Sequence, residues 1–163
     1  MYDKTLSDTE LRALLSIPDL TTAIGVRNLA IIALMLETGA KSGELIGKEY
    51  RSGEEGSEHP EVTRSVKGGL RLGDLFLDEH RIVLTRPRDG SRRDVSLPVV
   101  AEEYLRGWLE LRPASADDLV FVTTRGTRIQ NRYIRKVLRD YGREAGITHD
   151  VKPSLLRHTF AHR

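Results

Sequence analysis

The stretch VKPSLLRHTFAHR, residues 151–163, is the one on which the fold assignment turns. Pro153 suits the first position of a helix, because its ring pre-sets the helical φ and its missing N–H costs nothing there. At a hundred degrees per residue, Ser154, Arg157, His158 and Ala161 share one side of that helix. Leu155, Leu156 and Phe160 fall on the other. An arginine and a histidine are thus carried side by side over an apolar floor.

Working back from Pro153, residues 131–145 form the next predicted helix, stopped by Gly146. Arg132, Arg135, Lys136, Arg139 and Arg143 occupy one arc of it, and Tyr133, Ile134, Val137, Leu138 and Tyr141 the opposite arc. Such a stripe is either a solvated face or a surface matched to a phosphate backbone, where each neutralised phosphate releases counterions. A second basic element supports the latter. Residues 86–93 hold four arginines against Asp89, and residues 125–144 hold seven basic side chains against Asp140 and Glu144. Residues 41–61 run the other way, with six glutamates against Lys41, Lys48 and Arg51. The net charge of only +2 hides this asymmetry, which points to a polyanion partner.

The remaining segments predict a mixed α/β (α+β) domain, mainly helical, with a small antiparallel β-sheet or hairpin. Ser7 and Glu10 form a capping box that starts a helix over 8–16. Residues 24–37 are apolar nearly all round in their second half and predict a buried central helix ended by Gly39. A short helix over KSGELI follows. The glycine-rich residues 47–70 lack periodicity and are expected to form a mobile loop or insertion. RIVLT and RDVSL predict two strands around Asp89-Gly90, a hairpin signal. A helix over 99–111 is expected to bury Val100, Tyr104, Leu105, Trp108 and Leu109, and LVFVT predicts a further strand. At 163 residues, with 39% apolar and 31% charged side chains, one globular domain is expected over 1–163. The absence of cysteine, of a signal peptide and of any apolar run long enough to span a bilayer predicts a cytoplasmic protein.

LSDTELRALLSI, LETGAKSGEL, SRRDVSLP, VFVTTRG, VLRDYGREAGI and VKPSLLRHTFAHR occur in the order seen in the tyrosine recombinases, the phage integrase family. One such motif is weak evidence; six in register, ending in L-R-H-T-F-A, are strong. The chain resembles the catalytic domain of that family, without its separate amino-terminal core-binding domain. The resemblance implies a site-specific recombinase or integrase that binds double-stranded DNA together with other recombinase subunits and uses no metal or other cofactor. In the family a tyrosine hydroxyl attacks a backbone phosphate, forming a 3′-phosphotyrosine that conserves the bond for rejoining. Two arginines clamp the charged transition state, a hairpin lysine protonates the leaving oxygen, and a histidine assists.

Carried onto this chain, the second arginine is Arg157. The first arginine position holds Lys41, which keeps the charge but loses the planar fork. The hairpin lysine position falls on Arg88, or on Arg86 with a shifted loop, and arginine does not release a proton. The assisting histidine position holds Ser154. Glu44 matches the family's acidic partner, and His158 lies beside Arg157 in a supporting place. Arg86, Arg92, Arg93, Arg132, Arg135, Lys136, Arg139 and Arg143 are the expected DNA contacts. The family's second box and its tyrosine lie beyond the last motif matched, and none of Tyr2, Tyr50, Tyr104, Tyr133 and Tyr141 matches the nucleophile motif. A domain incomplete at its carboxyl end and inactive alone is therefore expected. The alternatives are a non-catalytic DNA-binding regulator or remnant of the family, and a basic RNA-binding module, which would expose aromatics for base stacking. His158 and His162 have the i, i+4 spacing of a metal pair but no third ligand at fixed spacing, so no metal site is assigned.

Overall fold

A computed structural model describes residues 5–52 and 63–162. Among these, the helices are α1 (Asp8–Leu15), α2 (Ala23–Thr38), α3 (Ser42–Ile46), α4 (Val99–Leu111), α5 (Asn131–Glu144) and α6 (Pro153–Ala161). The strands are β1 (Lys48–Ser52), β2 (Thr63–Lys67), β3 (Leu75–Phe76), β4 (Arg81–Thr85) and β5 (Arg92–Ser96). β1 and β2 pair as one antiparallel hairpin, and β3, β4 and β5 form a separate antiparallel sheet in that order. The α+β class expected from the sequence is the class observed.

α2 is the axis of the core. Thr22 caps its start by accepting the Gly25 N–H at 3.0 Å, and Gly39 ends it in the left-handed conformation at φ 72°. Gly25 is dictated by packing, since a Cβ there would lie 1.9 Å from the Asp19 carbonyl oxygen. Every residue from Leu29 to Leu36 is buried. A helix apolar on all sides must be covered on all sides, and α4 and α6 pack against it. α4 contributes the fully buried Trp108, whose indole N–H donates to the Val120 carbonyl at 2.8 Å. That bond lets a polar tip enter a core where, unpartnered, it would cost about 1–3 kcal/mol.

The capping box at Ser7 and Glu10 forms in both directions, at 3.1 and 3.0 Å. β4 and β5 are joined by a turn in which Gly90 takes φ 71° and Asp89 accepts the Ser91 N–H at 2.9 Å. β4 is buried at Ile82, Val83 and Leu84, as befits the middle strand of its sheet.

Four expectations are corrected. The stretch 47–70 is not a loop throughout, because β1 and β2 pair in it with Lys48 opposite Lys67 and Tyr50 opposite Ser65; its middle, residues 53–62, lies outside the described residues. LVFVT is no strand. Leu119–Val122 is a wholly buried segment held by isolated bridges from Leu119 to Arg71 and from Val122 to Arg128. A short apolar run does not distinguish the two by periodicity. Val100 is 51% exposed, and Ala101 takes the buried place in the first turn of α4. Phe160 is likewise 41% exposed, because its ring lies across Gly39 at the end of α2 and not under α6; a Cβ on Gly39 would meet that ring at 2.5 Å. The buried residue beside it is Thr159, which accepts the Leu6 N–H at 3.0 Å and donates to the Leu155 carbonyl at 2.8 Å.

Among the described residues no helix is long and apolar enough to cross a membrane.

Candidate nucleic-acid interface

Four parts of the chain far apart in sequence meet around a cleft of ≈ 670 Å³. The first is the start of α3. Lys41 is its N-cap residue, with extended backbone at φ −78° and ψ 151°, and the Glu44 carboxylate accepts the Lys41 N–H at 3.0 Å. That turn leaves the Lys41 side chain exposed at the cleft, next to Ser42. The second is the β4–β5 turn, which brings Arg86, Pro87 and Arg88. The third is α5, contributing Asn131 and Arg135, and the fourth is the start of α6, contributing Lys152, Ser154 and Arg157. β1 closes the rim with Lys48 and Tyr50.

Pro87 locks these parts together. Its ring sits where side chains on Gly43 and Gly68 would be, with Cγ 3.1 and 2.6 Å from their ideal Cβ positions. Asn131 does the same for α5, accepting from the Ser42 hydroxyl at 2.8 Å and donating to the Gly47 carbonyl at 3.1 Å. The cleft is therefore pre-formed by packing and hydrogen bonds between backbone segments.

Its electrostatics are one-sided. Lys41, Lys48, Arg86, Arg88, Arg135, Lys152 and Arg157 line it, and among the described residues no carboxylate does. Arg86 reaches Asp89 at 3.5 Å across the exposed turn. Among the described residues no ion pair engages Lys41, Arg88, Arg135, Lys152 or Arg157. The amino-terminal end of α6 also faces the cleft, adding backbone N–H groups and the positive end of a helix dipole. Cations held at such density without counter-charge repel one another, so the arrangement is relieved only by an anion.

Of the residues expected at the site, Lys41, Arg86, Arg88, Arg135, Ser154 and Arg157 share this cleft. Arg92 and Arg93 do not line it. Arg92 reaches the buried Asp74 at 2.8 Å. Arg93 grips the buried Glu44 with two hydrogen bonds, at 3.2 and 3.1 Å. Glu44 itself is buried and does not line the cleft; it holds Arg93 and the Lys41 backbone, and no hydrogen bond or ion pair joins it to Arg157. His158 is half-buried beside Arg157 and is not part of the lining. The His162 ring bonds to the His158 carbonyl at 2.8 Å.

Arg132, Arg135, Lys136, Arg139 and Arg143 are all exposed along α5, as the helical wheel requires. Lys136 pairs with Asp140 at 2.7 Å, and this contact first of all holds the Asp140 carboxyl below its ordinary range. Arg132 lines a second depression of ≈ 440 Å³ with Arg128 and Arg27. Arg27 is 3% exposed and bonds the Val122 carbonyl, Asn28 and the Tyr133 hydroxyl at 3.2, 3.0 and 2.8 Å. Burial pulls its pKa below the ordinary arginine value.

Lys48, Tyr50 and Lys152 were not singled out as site residues in the sequence. The Lys48–Tyr50 alternation in KEYRS is the available signal for the first two. Lys152 is placed by the helix start at Pro153.

An α+β scaffold with this cleft defines the class: the chain belongs to the phage integrase family, whose model matches residues 66–163. The tyrosine recombinase XerD of Lacticaseibacillus casei is 32% identical over 98% of this chain and 48% of its own length. XerC of Yersinia pestis is 28% identical over 97% of this chain and 45% of its own. Among solved structures, XerA recombinase superposes with a TM-score of 0.76 at 26% identity, over 99% of this chain and 50% of that one. XerH site-specific recombinase bound to difH substrate in a pre-cleavage complex shares the fold, with a TM-score of 0.69 at 23% identity over 96% of this chain and 41% of that one. The chain spans about half the length of the curated relatives it matches.

Proposed function

We propose that this chain is the catalytic-domain portion of a site-specific DNA recombinase, working in the cytoplasm with duplex DNA and other recombinase subunits. The observation that carries this reading is the single cleft with seven cations and no carboxylate among its described lining residues. A phosphodiester seated there accepts paired hydrogen bonds from the Arg157 fork, the strong charge-assisted kind. Lys41 supplies a point charge on the opposite wall, and Ser154 donates a neutral hydrogen bond to a non-bridging oxygen. Arg88 stabilises charge that builds up on the phosphate but does not release a proton to a leaving oxygen. Glu44 and Arg93 act indirectly, by fixing the backbone that aims Lys41. Arg132, Arg139 and Arg143 extend the positive surface along α5 beyond the cleft.

A second reading, a family member that kept DNA binding and lost the chemistry, draws support from Lys41 and Arg88. Both positions retain charge, while the guanidinium fork at one and the releasable proton at the other are gone. Trapping on a nicked suicide duplex, with a peptide carrying the family's tyrosine segment added, separates the two: only the first reading then yields a covalent adduct, and neither yields one from this chain's own tyrosines.

DNA binding itself is tested by fluorescence anisotropy on a labelled duplex across a salt series. Replacing Arg135 and Arg139 by alanine should weaken binding to every sequence and make the log–log salt slope shallower by about 2, one per phosphate contact. An unchanged affinity and slope would reduce the α5 stripe to a solvated surface.

A further inference from the structure

The β1–β2 hairpin places a cationic pair beside the cleft for which the family motifs offer no counterpart. We propose that Lys48 and Lys67 form an additional subsite for DNA backbone phosphates, flanking the one bound in the cleft; this rests on the DNA-binding reading above.

The geometry is specific. Lys48 and Tyr50 are two positions apart on β1 and so point to the same face, and Lys67 stands directly opposite Lys48 across the hairpin. Both ammonium groups lie 5.4 Å from the centroid of the Tyr50 ring. Like charges directly opposite in a hairpin are destabilising, and the ring face between them offsets part of that cost by attracting each ammonium. Among the described residues no ion pair engages either lysine. The strand's own acid does not supply one: Glu49 alternates to the other face, where Arg128 lies 3.8 Å away. The hairpin thus presents its two lysines and their tyrosine together on the cleft side.

The base of the hairpin is anchored where the site needs it. The Gly47 carbonyl accepts from Asn131 of α5 at 3.1 Å and from Arg128 at 3.3 Å, and the Gly47 N–H donates to the Gly43 carbonyl at 3.0 Å. Gly68 lies under Pro87, one residue before Arg88. Lys48 is therefore fixed relative to both Arg88 and Arg135. Both lysines are exposed and each has a long stem, so the ammonium groups reach phosphates to either side of the one in the cleft.

The test uses the 163-residue chain and a fluorescent duplex in a salt series. With a slope contribution of about 0.9 per neutralised phosphate, losing one contact lowers affinity about eightfold at 0.1 M salt, and losing two about sixtyfold. Lys48→Ala should show the first effect and Lys48→Ala/Lys67→Ala the second, with slopes shallower by about 1 and about 2. Lys48→Gln repeats the measurement with the stem kept, and thermal melting confirms that each variant is folded. Arg51→Ala removes the same charge from the other face of β1 and should leave affinity and slope unchanged. If the double variant binds with the wild-type slope, the hairpin subsite is overturned while the cleft reading stands. If Arg51→Ala matches Lys48→Ala, net charge and not a built face is responsible, and the subsite is equally overturned. If the wild-type chain does not bind duplex DNA at all, both readings fall.

Discussion

Arg93→Ala should destabilise the fold without altering how the protein responds to salt on DNA. Arg93 donates two hydrogen bonds to Glu44, which is 3% exposed, while the Arg93 side chain is 46% exposed. Hydrogen bonds to charged groups contribute about 1.5–3 kcal/mol net, and the open guanidinium side places this pair toward the lower part, because water screens it. Removing Arg93 strands a buried carboxylate that, among the described residues, keeps only the hydrogen bond from the Lys41 N–H. A loss of about 2 kcal/mol follows. For a chain of this length that lowers Tm by roughly 4–8 °C. In a double-mutant cycle with Glu44→Ala, urea unfolding should give a coupling of about 1.5–2 kcal/mol, since Arg93→Ala costs little once Glu44 is gone. A coupling below about 0.5 kcal/mol would refute the structural role. A salt slope flattened as much as in Arg135→Ala would also refute it, by placing Arg93 on DNA.

Acid should weaken the start of α1. The Ser7 N–H, and after it His149, hold the Glu10 carboxyl below its ordinary 4.5, so its contribution is complete above that unfolded-state value and is lost as pH falls through the lower folded one. Glu10→Gln should flatten that limb of a stability-against-pH curve from urea unfolding; an unchanged limb would count against the capping contact. Gly68→Ala should cost more than about 1 kcal/mol, because φ of +70° disfavours a side chain and the new Cβ would press on Pro87 at 2.6 Å. Calorimetry checks the first effect. A loss of DNA affinity in the still-folded variant checks the second, since the hairpin and the Arg88 turn would be pushed apart.

Local signals carried much of this architecture. The Ser7–Glu10 box, the all-apolar half of α2, Asp89-Gly90 and the α5 wheel each need only neighbours within a turn or two, and each is found where the sequence puts it. The hairpin at 48–67 escaped because glycine and glutamate dominate its surroundings and mask a two-residue alternation only five residues long. Leu119–Val122 escaped for the opposite reason: full burial removes any alternation to read. At the site, charge alone did not separate Arg88 from Arg92 and Arg93, three arginines within six positions. What separates them is which carboxylate stands nearby. Asp74 and Glu44 are brought there by other elements, so that information is tertiary. Lys152 and Lys48 escaped likewise, since neither belongs to a periodic run.

The bond from Leu6 to Thr159 spans 153 positions and is buried. The helix α6, which carries Ser154 and Arg157, is thus stapled to the segment just ahead of α1, and docking it requires closing a loop of 153 positions. Contacts of such range pay loop-closure entropy before they reward it and so tend to form late. Amide exchange at Leu6 should then report on the readiness of the phosphate site, although the two lie on different segments.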